Sequence, residues 1–218
     1  MAYNAVVIED FLSLWITEPV LNELTDAELF SRFAAGEEAA FRGIVNRYKQ
    51  GLYAFLKRFL NRSDLVEDVF QETFLQLFIS RDSFDSTRSL RPWLFTIAAN
   101  KARDALRKQQ RTATATIGTI TKSEEMSFDE MLDALTSDST APFDELQRNE
   151  AASLVRAVIA NMPENLREIL VLAYFNKFSY KQMAQILSIP IGTVKSRLHT
   201  AVGRFAKDWK AAVGSKRS

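Results

Sequence analysis

The sequence predicts an all-α protein of two small helical domains, an N-terminal helical bundle and a C-terminal helix-turn-helix domain, joined by an acidic flexible linker. Three observations predict this architecture. Glycine and proline are scarce, with 7 and 5 among 218 residues, and both are poor helix formers. Apolar residues recur at steps of three and four along much of the chain, which is the period of an amphipathic helix. Acidic residues accumulate in one internal stretch that separates two helical regions.

Composition excludes several classes of function. The chain has no cysteine and a single histidine, His199, so disulfide frameworks and thiolate zinc sites are excluded, and a metalloenzyme or a catalytic triad would depend on one imidazole. We therefore expect no enzymatic activity, no metal and no cofactor. No Lys or Arg precedes Arg32, and the most apolar early stretch is interrupted by charges, unlike a secretion signal or a membrane span. The sequence thus predicts a cytoplasmic protein without membrane insertion.

Residues 1–24 form an N-terminal extension with four acidic side chains and no basic one. Its large apolar residues predict an added helix that packs on the N-terminal domain or on a regulatory partner. The N-terminal domain, residues 25–111, is predicted to open with a helix at Thr25 or Asp26, because Glu28 completes a capping-box pattern. A second helix follows from Glu37 to Leu60. Its buried face is predicted to comprise Phe41, Ile44, Val45, Tyr48, Leu52, Phe55, Leu56 and Phe59.

A third helix is predicted to be capped by Ser63 or Asp64, with an acidic and polar outer face. Its buried residues are expected to be Val66, Val69, Phe70, Phe74, Leu77 and Phe78. Residues 80–91 lack a helical period and predict a loop. Pro92 is then predicted to start a fourth helix with a basic strip on its outer face. Its inward residues are expected to be Trp93, Leu94, Ile97, Ala98, Ala102 and Leu106.

The linker is predicted at residues 112–149. Residues 112–150 hold two basic and nine acidic side chains, a net charge of −7. Helical periodicity resumes at about Glu150, stops near Pro163 and restarts at Leu166, so residues 150–212 predict the C-terminal domain.

Residues 179–199 predict a helix, a sharp connection and a second helix. In this motif Ala184 is small at the helix crossing, Leu187 and Ile189 fill the space beneath the turn, Pro190 stops the first helix and Thr193 caps the second. The second helix has an apolar face and an opposite polar face that contains Lys195, Ser196, His199 and Gly203.

Two amphipathic helices with such a turn also occur in ordinary bundles. The charge of the region favours DNA, because residues 177–217 hold nine basic residues against one acidic residue. The second helix is therefore predicted to enter a major groove.

Three ordered motifs carry a family resemblance: DLVEDVFQETF at 64–74, LRPWLFTIAANKARD at 90–104, and GTVKSRL at 192–198. In order and spacing they resemble the extracytoplasmic-function (ECF) sigma factors of bacterial RNA polymerase. The resemblance covers about 25–111 and 150–210. It implies a promoter-specificity subunit that binds polymerase core and promoter DNA, with an anti-sigma factor as a further candidate partner.

The resemblance also implies site residues. Contact with the clamp helices of the largest polymerase subunit falls on Asp68, Gln71 and Glu72. Reading of the −10 element falls on Arg88, Asn100, Arg103, Arg107 and Lys108, with Arg111 continuing the strip, while Trp93 is assigned to packing. The resemblance and the positive charge of this region together place reading of the −35 element on six residues: Lys181, Thr193, Lys195, Ser196, Arg197 and His199. Of these, Arg197 and Lys181 suit contacts with flanking phosphates.

Two alternatives stay open from sequence. The first is a helix-turn-helix regulator whose N-terminal helices sense a ligand or dimerise, although it leaves the acidic run from Asp64 to Glu72 unexplained. The second is an enzyme or a helical adaptor with an incidental basic tail, although no constellation of catalytic residues supports it.

Overall fold

The computed structural model describes residues 21, 23–85, 88–112 and 152–215. Within these ranges the chain is helical and contains no strand, so the predicted all-α fold is confirmed. The N-terminal bundle consists of α1 (Asp26–Ala34), α2 (Glu38–Leu60), α3 (Ser63–Ile79) and α4 (Leu90–Thr112). The C-terminal domain consists of α5 (152–160), α6 (Glu164–Leu170), α7 (Tyr180–Leu187) and α8 (Ile191–Ser215).

The start of α1 is the predicted capping box. The Glu28 amide donates to the Thr25 hydroxyl at 3.3 Å, and the Thr25 amide donates to the Glu28 carboxylate at 2.7 Å. These bonds satisfy amides that no helical carbonyl can reach. Gly36 turns the chain with a φ of +96°, and Gly43 lets α1 approach α2, since a Cβ there would lie 3.1 Å from Leu29. The first two helices therefore pack closely.

The predicted apolar faces of α2 and α3 form much of the bundle core. Leu52, Phe55, Leu56 and Phe59 are fully buried. The predicted cap of α3 is wrong: the helix begins at Ser63 itself, and its N-cap is Arg62, which makes no side-chain capping bond. Arg62 instead pairs with Asp64, whose carboxylate lies 2.5 Å from the guanidinium.

The connection from α3 to α4 is shorter than predicted. A 3₁₀ turn occupies Arg81–Ser83, and α4 begins at Leu90 rather than at Pro92. A proline at the third helical position loses no bond, because the first-turn amides have no partner within a helix. Trp93 packs against Phe84 and Phe30, with ring centroids 4.4 and 5.9 Å away, in keeping with its assignment to packing.

In the C-terminal domain, α6 runs into a π-helical turn, Val171–Phe175, that the sequence analysis did not anticipate. The Asn176 side chain closes this turn by donating to the Val171 carbonyl at 3.0 Å. Chain direction changes there, and α7 and α8 follow. The C-terminal domain then packs directly against α2 and α4.

The predicted flexible linker lies outside the described residues from 113 onward, as does nearly all of the N-terminal extension. At the end of that extension, Leu21 is buried against α1 and α2. Arg47 of α2 donates to the carbonyl oxygens of Leu21 at 3.3 Å and of Leu24 at 2.6 Å, and it pairs with Asp26 at 2.8 Å. The entry into α1 is thus fixed to α2 by one guanidinium.

Candidate functional site

The acidic face of α3, which we define as Asp68, Gln71 and Glu72, is accessible. All three side chains are exposed, whereas the adjacent Val69 and Thr73 are buried. The Thr73 hydroxyl donates to the Val69 carbonyl at 2.6 Å, which satisfies this polar group inside the core. The helix therefore presents the three predicted polymerase contacts on one solvent-facing surface.

An exposed apolar patch continues this face toward the end of α3. Leu75 and Ile79 are 59% and 64% exposed, and Phe78 is 41% exposed. The prediction that Phe78 is buried is therefore wrong. Its ring packs against Phe33 and Phe41, at centroid distances of 5.7 and 5.3 Å, and the Arg81 guanidinium lies 5.1 Å from its centroid.

The basic strip of α4 is exposed in part. Asn100, Arg107, Lys108 and Arg111 are exposed, and Arg107 lies 3.0 Å from Asp104, one turn away. The strip meets the acidic face where Lys101 Nζ lies 3.3 Å from Glu72 Oε2. In the loop before α4, Arg88 is also exposed and lies 3.3 Å from Asp85.

Arg103 departs from the expectation that the whole strip faces outward. Its side chain is only 22% exposed, it donates to Asn100 Oδ1, and its Nη1 lies 3.6 Å from Oε1 of Glu168 in α6. Glu168 is almost fully buried, and this burial raises its pKa to about 7, while nearby Arg103 and Arg197 act in the opposite direction. The C-terminal domain thus covers a residue predicted to face DNA.

The helix-turn-helix forms, although its ends differ from the prediction. Ser179 and Gln182 make a capping box at the start of α7. That helix ends at Leu187, and the next residue, Ser188, adopts a left-handed φ of 53°, so the helix stops before Pro190. The second helix begins at Ile191, so Thr193 lies in its first turn and does not cap it. Ser188 forms the tight turn. A non-glycine residue seldom adopts a left-handed backbone conformation, so the local sequence gives no signal for a turn at this serine.

The polar side of α8 has the predicted arrangement. Lys195, Ser196 and His199, which we define as the reading face, are exposed, while Val194 and Leu198 on the other side are buried. Lys181 on α7 is also exposed, whereas Thr193 and Arg197 are half-buried. The exposed side chains carry positive charge and hydrogen-bonding groups, which suits contact with base edges and phosphates.

Comparison with known proteins identifies the family. Residues 44–112 match the model of sigma-70 region 2, and residues 152–204 match that of sigma-70 region 4. The ECF RNA polymerase sigma factor SigW of Bacillus subtilis (strain 168) is 31% identical over 164 residues, which cover 75% of this chain and 86% of the relative. The chain belongs to the ECF RNA polymerase sigma factors.

A second relative extends the match. The ECF RNA polymerase sigma-E factor of Haemophilus influenzae (strain ATCC 51907 / DSM 11121 / KW20 / Rd) is 31% identical over 179 residues, covering 82% of this chain and 92% of the relative. This sigma factor is accordingly an RNA polymerase subunit that directs promoter-specific initiation. The alternative of a ligand-sensing regulator is not favoured, because the N-terminal helices of this chain match sigma-70 region 2.

Two solved structures share the fold. One is CnrH in complex with the cytosolic domain of CnrY, with a TM-score of 0.60 and 24% identity, covering 85% of this chain and 97% of that one. The other is the sigma factor RpoE in complex with the anti-sigma factor NepR from Bartonella quintana, with a TM-score of 0.57 and 24% identity, covering 78% and 96%.

The two domains of this sigma factor meet through contacts that sequence reasoning missed. Arg91 Nη2 of α4 donates to the Asn176 carbonyl at 2.6 Å, and its guanidinium lies 4.2 Å from the centroid of the Phe178 ring. Phe178 packs edge-on against Phe95 at 4.9 Å. Phe95 does follow Trp93 and Leu94 in an apolar run, but helical spacing alone did not assign it to a partner surface.

The part of the chain that the structure describes holds neither of two further classes of feature, a metal site or a membrane-spanning helix. No three acidic or histidine side chains gather there in a way that would hold a metal ion. None of the helices described combines the length and the apolar character that crossing a bilayer requires.

Proposed function

We propose that this sigma factor divides its work between three surfaces. The N-terminal domain, residues 25–111, binds polymerase core through the acidic face and reads the −10 element with α4. The C-terminal domain, residues 150–212, reads the −35 element with α8, and residues 112–149 link the two. The observation that carries this proposal is the exposed reading face of α8, placed opposite a buried apolar face within a match to sigma region 4.

Electrostatics support the assignment of the acidic face to polymerase core. Asp68 and Glu72 present two carboxylates one helical turn apart, with Gln71 beside them as a hydrogen-bonding group. A cationic helix can pair with such a surface, and the apolar patch of Leu75, Phe78 and Ile79 adds area that loses water on binding. We assign the clamp helices of the largest polymerase subunit to this combined surface.

The −10 element is assigned to the second half of α4 and to the loop before this helix. Asn100 offers an amide that can pair with a base edge, while Arg107, Lys108 and Arg111 continue as a row of exposed cations along one helix. Arg88 extends the positive surface into the loop, and Arg103 joins the same surface once it is released from Glu168.

The −35 element is assigned to α7 and α8. Lys195, Ser196 and His199 occupy the side of α8 that faces solvent, and an α-helix with exposed polar side chains fits the major groove of B-form DNA. Lys181 and Arg197 flank this face and are assigned to phosphates, with Thr193 at the start of the same helix.

We extend the proposal to partners and location. Both solved structures that share the fold are complexes, one of them with the anti-sigma factor NepR, and we propose that an anti-sigma factor also binds this chain. The sigma factor acts in the cytoplasm, where polymerase and DNA are found. It performs no chemistry itself, so the polymerase supplies catalysis.

Transcription with purified core polymerase tests the proposal. The full chain, added to core and a library of promoters randomised around both elements, is expected to yield transcripts from templates that share two short motifs at a fixed spacing. Templates with either motif scrambled should lose transcription. Failure of the full chain to co-purify with core, or transcription that is indifferent to both motifs, would contradict the proposal.

A further inference from the structure

A cavity of about 830 Å³ lies between α2 and α5. Phe70 of α3 and Phe175 of the π-helical turn complete its lining. This volume falls within the range of about 300–1,000 Å³ that is typical of small-molecule sites. No residue of the acidic face or of the reading face lines the cavity. The proposed function therefore leaves this cavity without a role.

The charged side chains of this cavity are all cations. Lys49, Lys57 and Arg58 come from α2, Arg156 comes from α5, and no Asp or Glu is present among the described residues that line it. In the ranges that the structure describes, none of the four cations lies within 4.0 Å of a carboxylate. An anion is the ligand whose charge complements such a cavity.

Two of these cations repel each other. Burial lowers the pKa of Arg58, and the positive charge of Arg156 lowers this pKa further. Arg58 Nη1 donates to the Ala54 carbonyl at 3.1 Å, and Arg156 Nη2 donates to the Ser153 hydroxyl at 2.7 Å. A guanidinium has five N–H donors, so both side chains keep donors for a ligand. A phosphate group that accepts from both guanidiniums would relieve their repulsion.

The same cavity presents aromatic rings. Tyr53 is 39% exposed, and Phe70 and Phe175 are half-buried. The Tyr53 ring meets the Phe70 ring edge-on, with 5.7 Å between their centroids. The Arg58 guanidinium lies 4.6 Å from the centroid of the Phe175 ring, so cationic and aromatic groups lie side by side. Exposed aromatic rings of this kind stack favourably on the planar base of a nucleotide.

The combination of groups decides between classes of ligand. An inorganic anion would use the cations and leave the aromatic rings in water, whereas an apolar ligand would leave four positive charges without a counterion. A nucleotide carries a phosphate group and a planar base in one small molecule. We infer that the cavity binds a nucleotide, with its phosphate groups at Arg58 and Arg156 and its base at Tyr53 and Phe70. This inference goes beyond the proposed function, because it requires neither polymerase nor DNA.

Isothermal titration calorimetry on the full chain tests the inference. ATP, GTP, CTP and UTP are titrated separately, without divalent cations, which would compete for the phosphate groups. Inorganic triphosphate and the four nucleosides are titrated in parallel. At least one nucleotide is expected to bind at one site per chain. It should bind at least about tenfold more tightly than inorganic triphosphate or its own nucleoside, since each lacks one half of the recognised chemistry.

Substitutions locate the site. Arg156→Gln should weaken nucleotide binding by at least about tenfold, because a charge-assisted hydrogen bond is lost. Arg156 is exposed, so the fold should be retained. The matched control is Arg42→Gln, which removes the same charge from an exposed position of α2 outside the cavity and should bind as the wild type does.

A second pair of variants tests the aromatic part. Tyr53→Ala should weaken binding of the nucleotide by about tenfold and leave the weak binding of inorganic triphosphate unchanged, because only the base stacks on this ring. Tyr53→Phe keeps the ring and should bind the nucleotide as the wild type does. Circular dichroism and thermal unfolding verify that each variant is folded.

Several results would overturn the inference. These are the failure of all four nucleotides to bind, inorganic triphosphate that binds as tightly as any of them, and equal weakening by Arg42→Gln and Arg156→Gln. A short single-stranded DNA that needs Arg156 while every free nucleotide fails to bind would also overturn it and assign the cavity to nucleic acid. None of these results bears on initiation with polymerase core, so failure of the proposed function is detected separately.

Discussion

Arg103 Nη1 lies 3.6 Å from Glu168 Oε1, yet this buried oxygen accepts no hydrogen bond within the part of the chain that the structure describes. An ion pair without hydrogen bonds recovers little of the free energy that burying a carboxylate costs. Burial therefore outweighs Arg103 and Arg197 and raises the pKa of Glu168 from 4.5 to about 7. The Arg103–Glu168 ion pair therefore holds the Arg103 side chain in place but contributes little to the stability of the fold.

The first prediction concerns this carboxyl group. Because its pKa is raised on folding, the folded chain holds a proton between about pH 4.5 and 7 that the unfolded chain releases, so Glu168 makes stability fall as pH rises through that window. In the Glu168→Gln variant, the free energy of unfolding should decrease by up to about 3 kcal/mol less than in the wild type as the pH rises through this window. Urea unfolding at several pH values checks it, with the exposed Glu38→Gln as control. The same pH dependence in Glu168→Gln and wild type would contradict the raised pKa.

The second prediction concerns the acidic face. Replacing Asp68, Gln71 and Glu72 with Ala should weaken binding to polymerase core by about tenfold or more, which corresponds to about 1.4 kcal/mol. Stability should change by only about 0.5 kcal/mol per substitution, because the side chains are exposed. Titration of core with labelled sigma factor measures the effect.

The matched control for the acidic face is the double variant Glu37→Ala and Glu38→Ala, which removes two exposed carboxylates at the start of α2. It should bind core as the wild type does. If both variants weaken binding equally, total negative charge rather than this face is responsible, and the assignment fails.

The third prediction concerns Lys195. Lys195→Ala should cost about 1–3 kcal/mol and relax the preference at one −35 position if Lys195 reads a base. If Lys195 contacts only a phosphate, all sequences should weaken alike and the salt slope should fall by about one. Binding to a panel of single-base −35 variants separates the cases. Lys210→Ala, on the exposed far end of the same helix, should leave positional preferences unchanged, and an unchanged profile for Lys195→Ala would remove this residue from the site.

The fourth prediction concerns Asn100. Asn100→Ala should impair discrimination at the −10 element and slow open-complex formation, since the exposed amide would no longer pair with a base. Selection among −35 sequences should not change, because the reading face lies on another domain. Transcription by holoenzyme on promoters with single-base −10 changes measures this. The control Asn46→Ala removes an exposed amide from α2, and equal −10 profiles for the two variants would refute the role of Asn100.

Local sequence patterns determined the helices and their buried faces. The Thr25 capping box, the apolar stripe of α2 and the two-sided recognition helix depend on contacts within three or four residues, which spacing encodes directly. The exposed state of Asp68, Gln71 and Glu72 followed from the same period. Errors occur at helix ends. Arg62 rather than Ser63 or Asp64 is the N-cap of α3, and Ser188 rather than Pro190 ends α7, because caps depend on backbone geometry that many sequences permit.

Only the tertiary structure decided how the two domains meet. Phe95 and Phe178 are 83 positions apart in number, and no periodic pattern relates them, yet their rings pack at 4.9 Å. Glu168 reads in sequence as an ordinary surface acid of a helix. Its burial beside Arg103 depends on where α6 lies against α4, a placement set by the summed packing of the domains. The sequence alone thus determined which surfaces the sigma factor has, and the fold decided which of them the free chain exposes.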